Sequence, residues 1–97
     1  MRFTWHAHKS AKNLAARAFD FEFATLIFDG LTLERADLSR DYGEHRVIAI
    51  GMAQGIALTV VYTDRMGANA EKERRIVSAR RSNRHEREAY RQAVESR

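Results

Sequence analysis

The stretch RVIAIGMAQGIALTVVYT, residues 46–63, decides the fold. Val47-Ile48-Ala49-Ile50 and Leu58-Thr59-Val60-Val61-Tyr62 are β-branched and apolar, on either side of a short connection bounded by Gly51 and Gly55. β-Branched side chains suit a pleated, half-buried surface, and a connection of that length suits a hairpin. The two runs, Arg46 to Met52 and Ile56 to Thr63, are therefore expected to pair antiparallel as central strands.

Downstream, the turn region DRMGANA (64–70) leads into Lys72 to Arg81, a further strand centred on Ile76 and Val77. Alternation places Arg80 with Ile76 and Ser78, and Arg81 with Arg75, Val77 and Ala79. One of the two arginines should face the helices' side of the sheet and the other the open side. Asn83, with Glu86 three residues later, forms a capping pair for a last helix with the apolar stripe Ala89, Tyr90, Ala93 and Val94. Arg84, Arg87 and Arg91 line an exposed stripe of that helix.

Upstream, Leu31 to Ala36 reads as a strand, separated from Arg46 by the polar loop DLSRDYGEH (37–45). Phe3 and Trp5 alternate with Arg2 and Thr4, a short strand signal, and HAHKSAKNLAAR (6–17) reads as a helix. Asp20 can cap a second helix through FEFATLIF (21–28), which Asp29-Gly30 ends, although alternation of Phe19, Phe21 and Phe23 leaves a strand open. Helices followed by meandering strands give the α+β class with an antiparallel sheet.

Ninety-seven residues with 44% apolar content suit one domain spanning residues 1–97. The chain opens on Met1-Arg2-Phe3-Thr4-Trp5 and holds no apolar run of the roughly 20 residues a membrane span needs, so a cytoplasmic location is expected. It contains no cysteine, which excludes disulfides and thiolate metal sites. Eight Lys/Arg balance eight Asp/Glu up to residue 70, whereas nine face five beyond it, so the net charge of +4 lies entirely at the C-terminal end. Clustered arginine attracts phosphates, but interleaved Glu86, Glu88 and Glu95 also fit a solvated helix.

His6-x-His8 has metal-ligand residue types, yet no further ligand stands at a recognisable spacing, so no metal or other cofactor is expected. No phosphate-cradling glycine loop, nucleophile elbow or HExxH is present. What remains is a basic and aromatic set: Lys9, Glu44, His45, Arg46, Tyr62, Arg65, Arg80, Arg81 and Tyr90. RNA cleavage through the 2′-hydroxyl needs a proton acceptor, cations for the phosphorane charge and an acid for the leaving oxygen. Glu44 or a tyrosine can serve as base and Arg46 or Arg80 as charge stabiliser. The same residues also read as a surface ion pair and as packing aromatics.

Taken in order, Phe3-x-Trp5, Lys9 and Asn13, Phe21-Glu22-x-Ala24, Phe28-Asp29, Glu44-x-Arg46, Ile50-Gly51, Val60-Val61-Tyr62-Thr63, Arg75 to Arg80 (RIVSAR), and Glu86-Arg87 with Tyr90 resemble the BrnT toxin family across nearly the whole chain. The resemblance implies a RelE-like compact domain, with an antiparallel sheet of about four to five strands, two N-terminal helices and one C-terminal helix. It implies a metal-independent ribonuclease toxin inhibited by a BrnA-like ribbon-helix-helix antitoxin, with operator DNA bound only through that antitoxin. Catalytic candidates are then Arg80, foremost, with Glu44, Arg46, Tyr62 and Lys9; RNA-backbone contacts are Arg65, Arg81, Arg84 and Arg87. Two departures stand out: Trp5-His6 where the family usually has Trp-Asp, and Ala16-Arg17-Ala18 where it usually has Lys-His-Gly. They keep open a weak or inactive member that retains antitoxin or nucleic-acid binding.

Overall fold

In a computed structural model covering residues 1–97, the central hairpin forms from β3 (Val47–Ala53) and β4 (Ile56–Met66), closed by the pair Ala53 and Ile56. Its two loop residues, Gln54 and Gly55, both adopt positive φ, 48° and 82°, the geometry of a type I′ turn whose twist matches the strands. β2 (Leu33–Ala36) pairs antiparallel with β3, and β5 (Lys72–Arg81) antiparallel with β4. β1 (Arg2–Trp5) completes the sheet order β1-β5-β4-β3-β2.

β1 runs parallel to β5, so the sheet is mixed where alternation suggested an antiparallel one. A parallel pair needs a long crossover, and here everything from the first helix to β4 lies between the two strands.

α1 (Ala7–Arg17) follows β1. The second helical stretch is one α-helical turn, α2 (Phe21–Ala24), that tightens into a 3-10 turn at Thr25–Asp29 instead of continuing as one helix. Asp20 caps it as expected, accepting from the Phe23 N–H at 2.9 Å. The tighter winding lowers Ile27 onto Gly51 of β3, where a β-carbon would stand 2.8 Å from the Ile27 Cβ. Only glycine allows this segment so close to the strand.

The sheet has two unlike faces. On the inner face, Ala49, Ala53, Leu58, Val60, Tyr62, Ile76 and Ala79 join Phe19, Phe21, Ala24 and Ile27 in one apolar cluster. The outer face carries Ile48, Ile50, Val61 and Thr59. Its β2 end is covered by α3 (Arg84–Glu95), whose Ala89, Tyr90, Ala93 and Val94 overlie Leu33, Ile50 and Met52. No α3 residue is buried, and the Tyr90 hydroxyl ties the helix down by donating to the Leu31 carbonyl at 2.9 Å. None of the helices is long and apolar enough to cross a membrane.

The two positions singled out as departures, His6 and Ala16-Arg17-Ala18, lie at the ends of α1. His6 occupies the N-cap without a side-chain capping bond, where an aspartate would accept from the helix's free N–H groups. Ala18 sits at φ 69°, the left-handed conformation that glycine adopts without a Cβ clash. His6→Asp and Ala18→Gly are each expected to stabilise the fold by about 1 kcal/mol. Thermal unfolding of the single and double variants checks this; unchanged or lowered midpoints would refute the capping explanation.

Candidate nucleic-acid interface

A β-bulge decides which arginines meet. Val61 pairs with Ser78 but the adjacent Tyr62 with Ile76, so Val77 is an extra residue in β5. An extra residue reverses the alternation beyond it. Ile76 and Ala79 therefore both face the core, each 1% exposed, although three residues separate them. This corrects the plain alternation of the sequence. Arg75 shares the outer face with Ser78 and Arg80, while Arg74, Ile76, Ala79 and Arg81 lie on the inner side. Arg80 and Arg81 do fall on opposite faces, but in company different from that expected.

On the outer face, Arg75 stands beside Thr4 of β1 and Thr63 of β4, and Thr63 lies next to Arg46 across the sheet. The Thr63 hydroxyl donates to the His45 carbonyl at 2.7 Å, and the Asp37 N–H donates to the Arg46 carbonyl at 2.8 Å, so the start of β3 is held in place. Arg46 donates from Nε to Glu44 at 2.8 Å and lies 4.0 Å from the centre of the Tyr42 ring. Lys9 reaches this cluster from α1: partial burial, then the charges of Arg46 and Arg75, hold its ammonium below the usual lysine range.

Glu44 is the one carboxylate paired with this trio, through Arg46; Arg75 and Lys9 have no carboxylate within ion-pair distance. The Thr4 hydroxyl beside Arg75 is buried without a hydrogen-bond partner. Lys9, whose ammonium is disfavoured by the neighbouring Arg46 and Arg75 charges, stands with them beside an unsatisfied hydroxyl, a positive site that suits an anion.

The other expected site residues lie elsewhere. Tyr62 is 4% exposed on the inner face, and its hydroxyl donates to Glu34 Oε1 at 2.5 Å. Arg74 stacks 4.0 Å from its ring centre while gripping Asp64 through two bonds at 2.8 and 2.9 Å. Burial, then the bond to Glu34, pushes the Tyr62 phenol well above its ordinary range. A phenol so held is a poor proton acceptor. Arg81 also lies on the inner side, beside Leu14, Phe19 and Phe23.

Arg80 is on the outer face, four residues along β4 from the Thr63 row, a distance of about 13 Å. Its guanidinium forms a two-bond pair with Glu86, both at 2.7 Å, and Glu86 also accepts from the Asn83 N–H as half of a capping box. Arg65 shares Glu73 with Arg2, at 3.6 and 3.9 Å. On α3, Arg87 donates to the Ser82 carbonyl at 2.7 Å, while Arg84 is exposed. Arg91 is occupied by Glu88 and Glu95.

The Arg80 bonds hold the Glu86 carboxyl down to about 2, against an ordinary 4.5. A depressed carboxylate stabilises the fold above its unfolded value and loses that contribution as pH falls through its folded one. Acidification from 4.5 towards about 2 is therefore expected to loosen α3 before the core. Amide resonances of α3 should shift in that window in the native chain, and Glu86→Gln should abolish the transition; its persistence in that variant would assign it to another group.

Sequence reading did not single out Arg75 or Thr4. The RIVSAR match contains Arg75, but plain alternation set it on the face of Arg81.

A family model described as "Ribonuclease toxin, BrnT, of type II toxin-antitoxin system" matches residues 5–86. No curated protein matches the chain. The match runs from the last residue of β1 to the first turn of α3, and so includes Lys9, Arg46, Arg75 and Arg80. On that match the chain belongs to the BrnT family of ribonuclease toxins of type II toxin-antitoxin systems.

Proposed function

We propose that the outer-face cluster of Lys9, Glu44, Arg46 and Arg75 binds and cuts RNA without a metal ion. One arrangement supports the reading: Arg75 and Arg46 flank Thr63, Lys9 lies near enough for its ammonium to feel both charges, and Glu44 is the single carboxylate paired among them.

Glu44 takes the proton of a ribose 2′-hydroxyl, whose oxygen then attacks the adjacent phosphorus. The bond to the 5′-oxygen breaks, leaving a 2′,3′-cyclic phosphate and a 5′-hydroxyl. Arg46 and Arg75 stabilise the negative charge that grows on the non-bridging oxygens, where fixed cations count most. Lys9, which gives up its proton more readily than an ordinary lysine, supplies it to the leaving oxygen. Arg80 and Arg65 extend the positive strip and contact neighbouring phosphates. Tyr62 has no proton-transfer role; it locks β4 to Glu34 of β2.

The reading extends to a RelE-like relationship, action in the cytoplasm and a BrnA-like ribbon-helix-helix antitoxin. That partner neutralises the toxin and carries the pair to operator DNA. The second reading is a weakly active member working through antitoxin or RNA binding. The loss of the expected lysine and histidine at Ala16 and Arg17 favours it.

The deciding experiment expresses the chain alone and with the protein encoded beside it, following growth and RNA integrity together. Growth arrest with RNA cleavage, relieved by the neighbour, supports the first reading. Normal growth of cells making folded protein, with salt-sensitive RNA affinity and no cleavage, supports the second. In purified form, cleavage is expected to persist in excess EDTA, and abolition by chelation would overturn the metal-independent step. Arg80→Ala should reduce toxicity more than Arg81→Ala, since only Arg80 shares the face of Arg46 and Arg75; equal effects would count against that face.

A further inference from the structure

Tyr42 is outside the chemistry just described, yet it touches the cluster directly. The loop 37–45 that carries it has no regular secondary structure but is shaped by its own polar groups. Asp37 accepts from the N–H and the hydroxyl of Ser39, at 3.1 and 2.7 Å, and the Ser39 hydroxyl lies 2.9 Å from the Tyr42 hydroxyl. Asp41 accepts from the Gly43 N–H at 2.9 Å, with Gly43 at φ 71°. The ring of Tyr42 is thereby presented half-buried at the edge of the outer face.

Two guanidinium groups lie over that ring, and they are held very differently. Arg46, at 4.0 Å from the ring centre, is anchored by Glu44. Arg40, at 5.0 Å, is exposed and has no carboxylate partner. Arg40 is a loosely held layer on an aromatic surface, next to a group placed for a phosphate.

We propose that the Tyr42 ring is a stacking platform for an unpaired nucleobase, which replaces Arg40 while the attached phosphate lies at Arg46 and Arg75. This rests on the outer face being the RNA-contacting surface. It favours a substrate that is single-stranded at this position, because a base already unpaired stacks on the ring without the cost of unpairing and unstacking. Stacking tolerates any base, so Tyr42 positions a nucleotide and leaves its identity unread. Displaced Arg40 stays close enough to meet a neighbouring phosphate.

The test measures binding of short single-stranded RNAs, with 2′-deoxy sugars to prevent cutting, against matched oligonucleotides carrying one abasic position. Wild-type protein is expected to lose about tenfold to a hundredfold in affinity when one particular base is removed. Tyr42→Ala should bind the intact RNA that much more weakly and no longer distinguish it from the abasic one. Tyr42→Phe and Tyr42→Trp should retain the distinction, which separates ring stacking from the Ser39 hydrogen bond. Salt-sensitive binding by wild type with no cost for any abasic position overturns the platform and leaves the phosphate cluster standing. Equal losses for intact and abasic RNA in Tyr42→Ala overturn it as well. Wild-type affinity that does not change with salt or with Arg75→Ala overturns the phosphate cluster, and the platform with it.

Discussion

Arg75→Ala is expected to slow RNA cleavage by about 10²–10³-fold, the loss typical when one preorganised stabiliser of transition-state charge is removed. Arg75 sits on β5, between β1 and β4, with backbone hydrogen bonding on both sides. The sheet therefore fixes its backbone and the face from which its side chain leaves. It has no ion pair to lose, and its removal relieves repulsion with Lys9, so folding stability should hold or rise slightly.

The adjacent residue is expected to behave in the opposite way. Arg74 is pinned by Asp64 and stacked on Tyr62 and Phe28, 4.0 and 4.8 Å from the ring centres, on the inner side. Arg74→Ala should lower the unfolding midpoint while cleavage per folded molecule changes little. Single-turnover cleavage and thermal unfolding on both variants give the comparison. Undiminished cleavage by Arg75→Ala would remove the central residue of the proposed mechanism.

Ile27→Ala is expected to cost about 2–5 kcal/mol, the range for truncating a fully buried aliphatic side chain. Against the roughly 5–15 kcal/mol that holds a small domain together, this is a large fraction, and the unfolding midpoint should fall by at least about 10 °C. Ile27 is 0% exposed and sits on Gly51, with the Phe21 to Phe28 segment wound tightly to bring it there. Its side chain joins the 3-10 turn to the centre of the sheet, so little can collapse into the space it leaves. Denaturant unfolding measures the cost; a loss under about 1 kcal/mol would mean that the turn is held mainly by other contacts.

Much of this architecture was legible in the chain. Residues 46–63 announced the central hairpin through β-branched runs around a Gly-bounded turn, and Lys72 to Arg81 announced the strand that follows. Asn83 and Glu86 announced the capping box, which is present with both its hydrogen bonds. These features are local: a turn, a cap and an apolar period depend on residues a few positions apart. The resemblance to the BrnT family, confirmed across residues 5–86, rested on such local strings set in order.

The candidate site was legible only in part. Lys9, Glu44 and Arg46 stood out as residue types, and the structure gathers them; Tyr62 stood out equally, and the structure buries it behind the sheet. Alternation cannot show a bulge, since Arg75 and Arg80 read on opposite faces until one extra residue at Val77 puts them on the same one.

The sequence by itself determined the fold class, the strands of the central hairpin and the ends of the last helix, because short-range sterics and hydrogen bonding suffice for each. Tertiary structure alone decided the parallel docking of β1, the bulge at Val77 and which arginines remain unpaired. Each of these depends on residues tens of positions apart competing for one place on a sheet or one carboxylate. That competition leaves Arg74 paired with Asp64, Arg80 with Glu86, and Arg75 without a carboxylate.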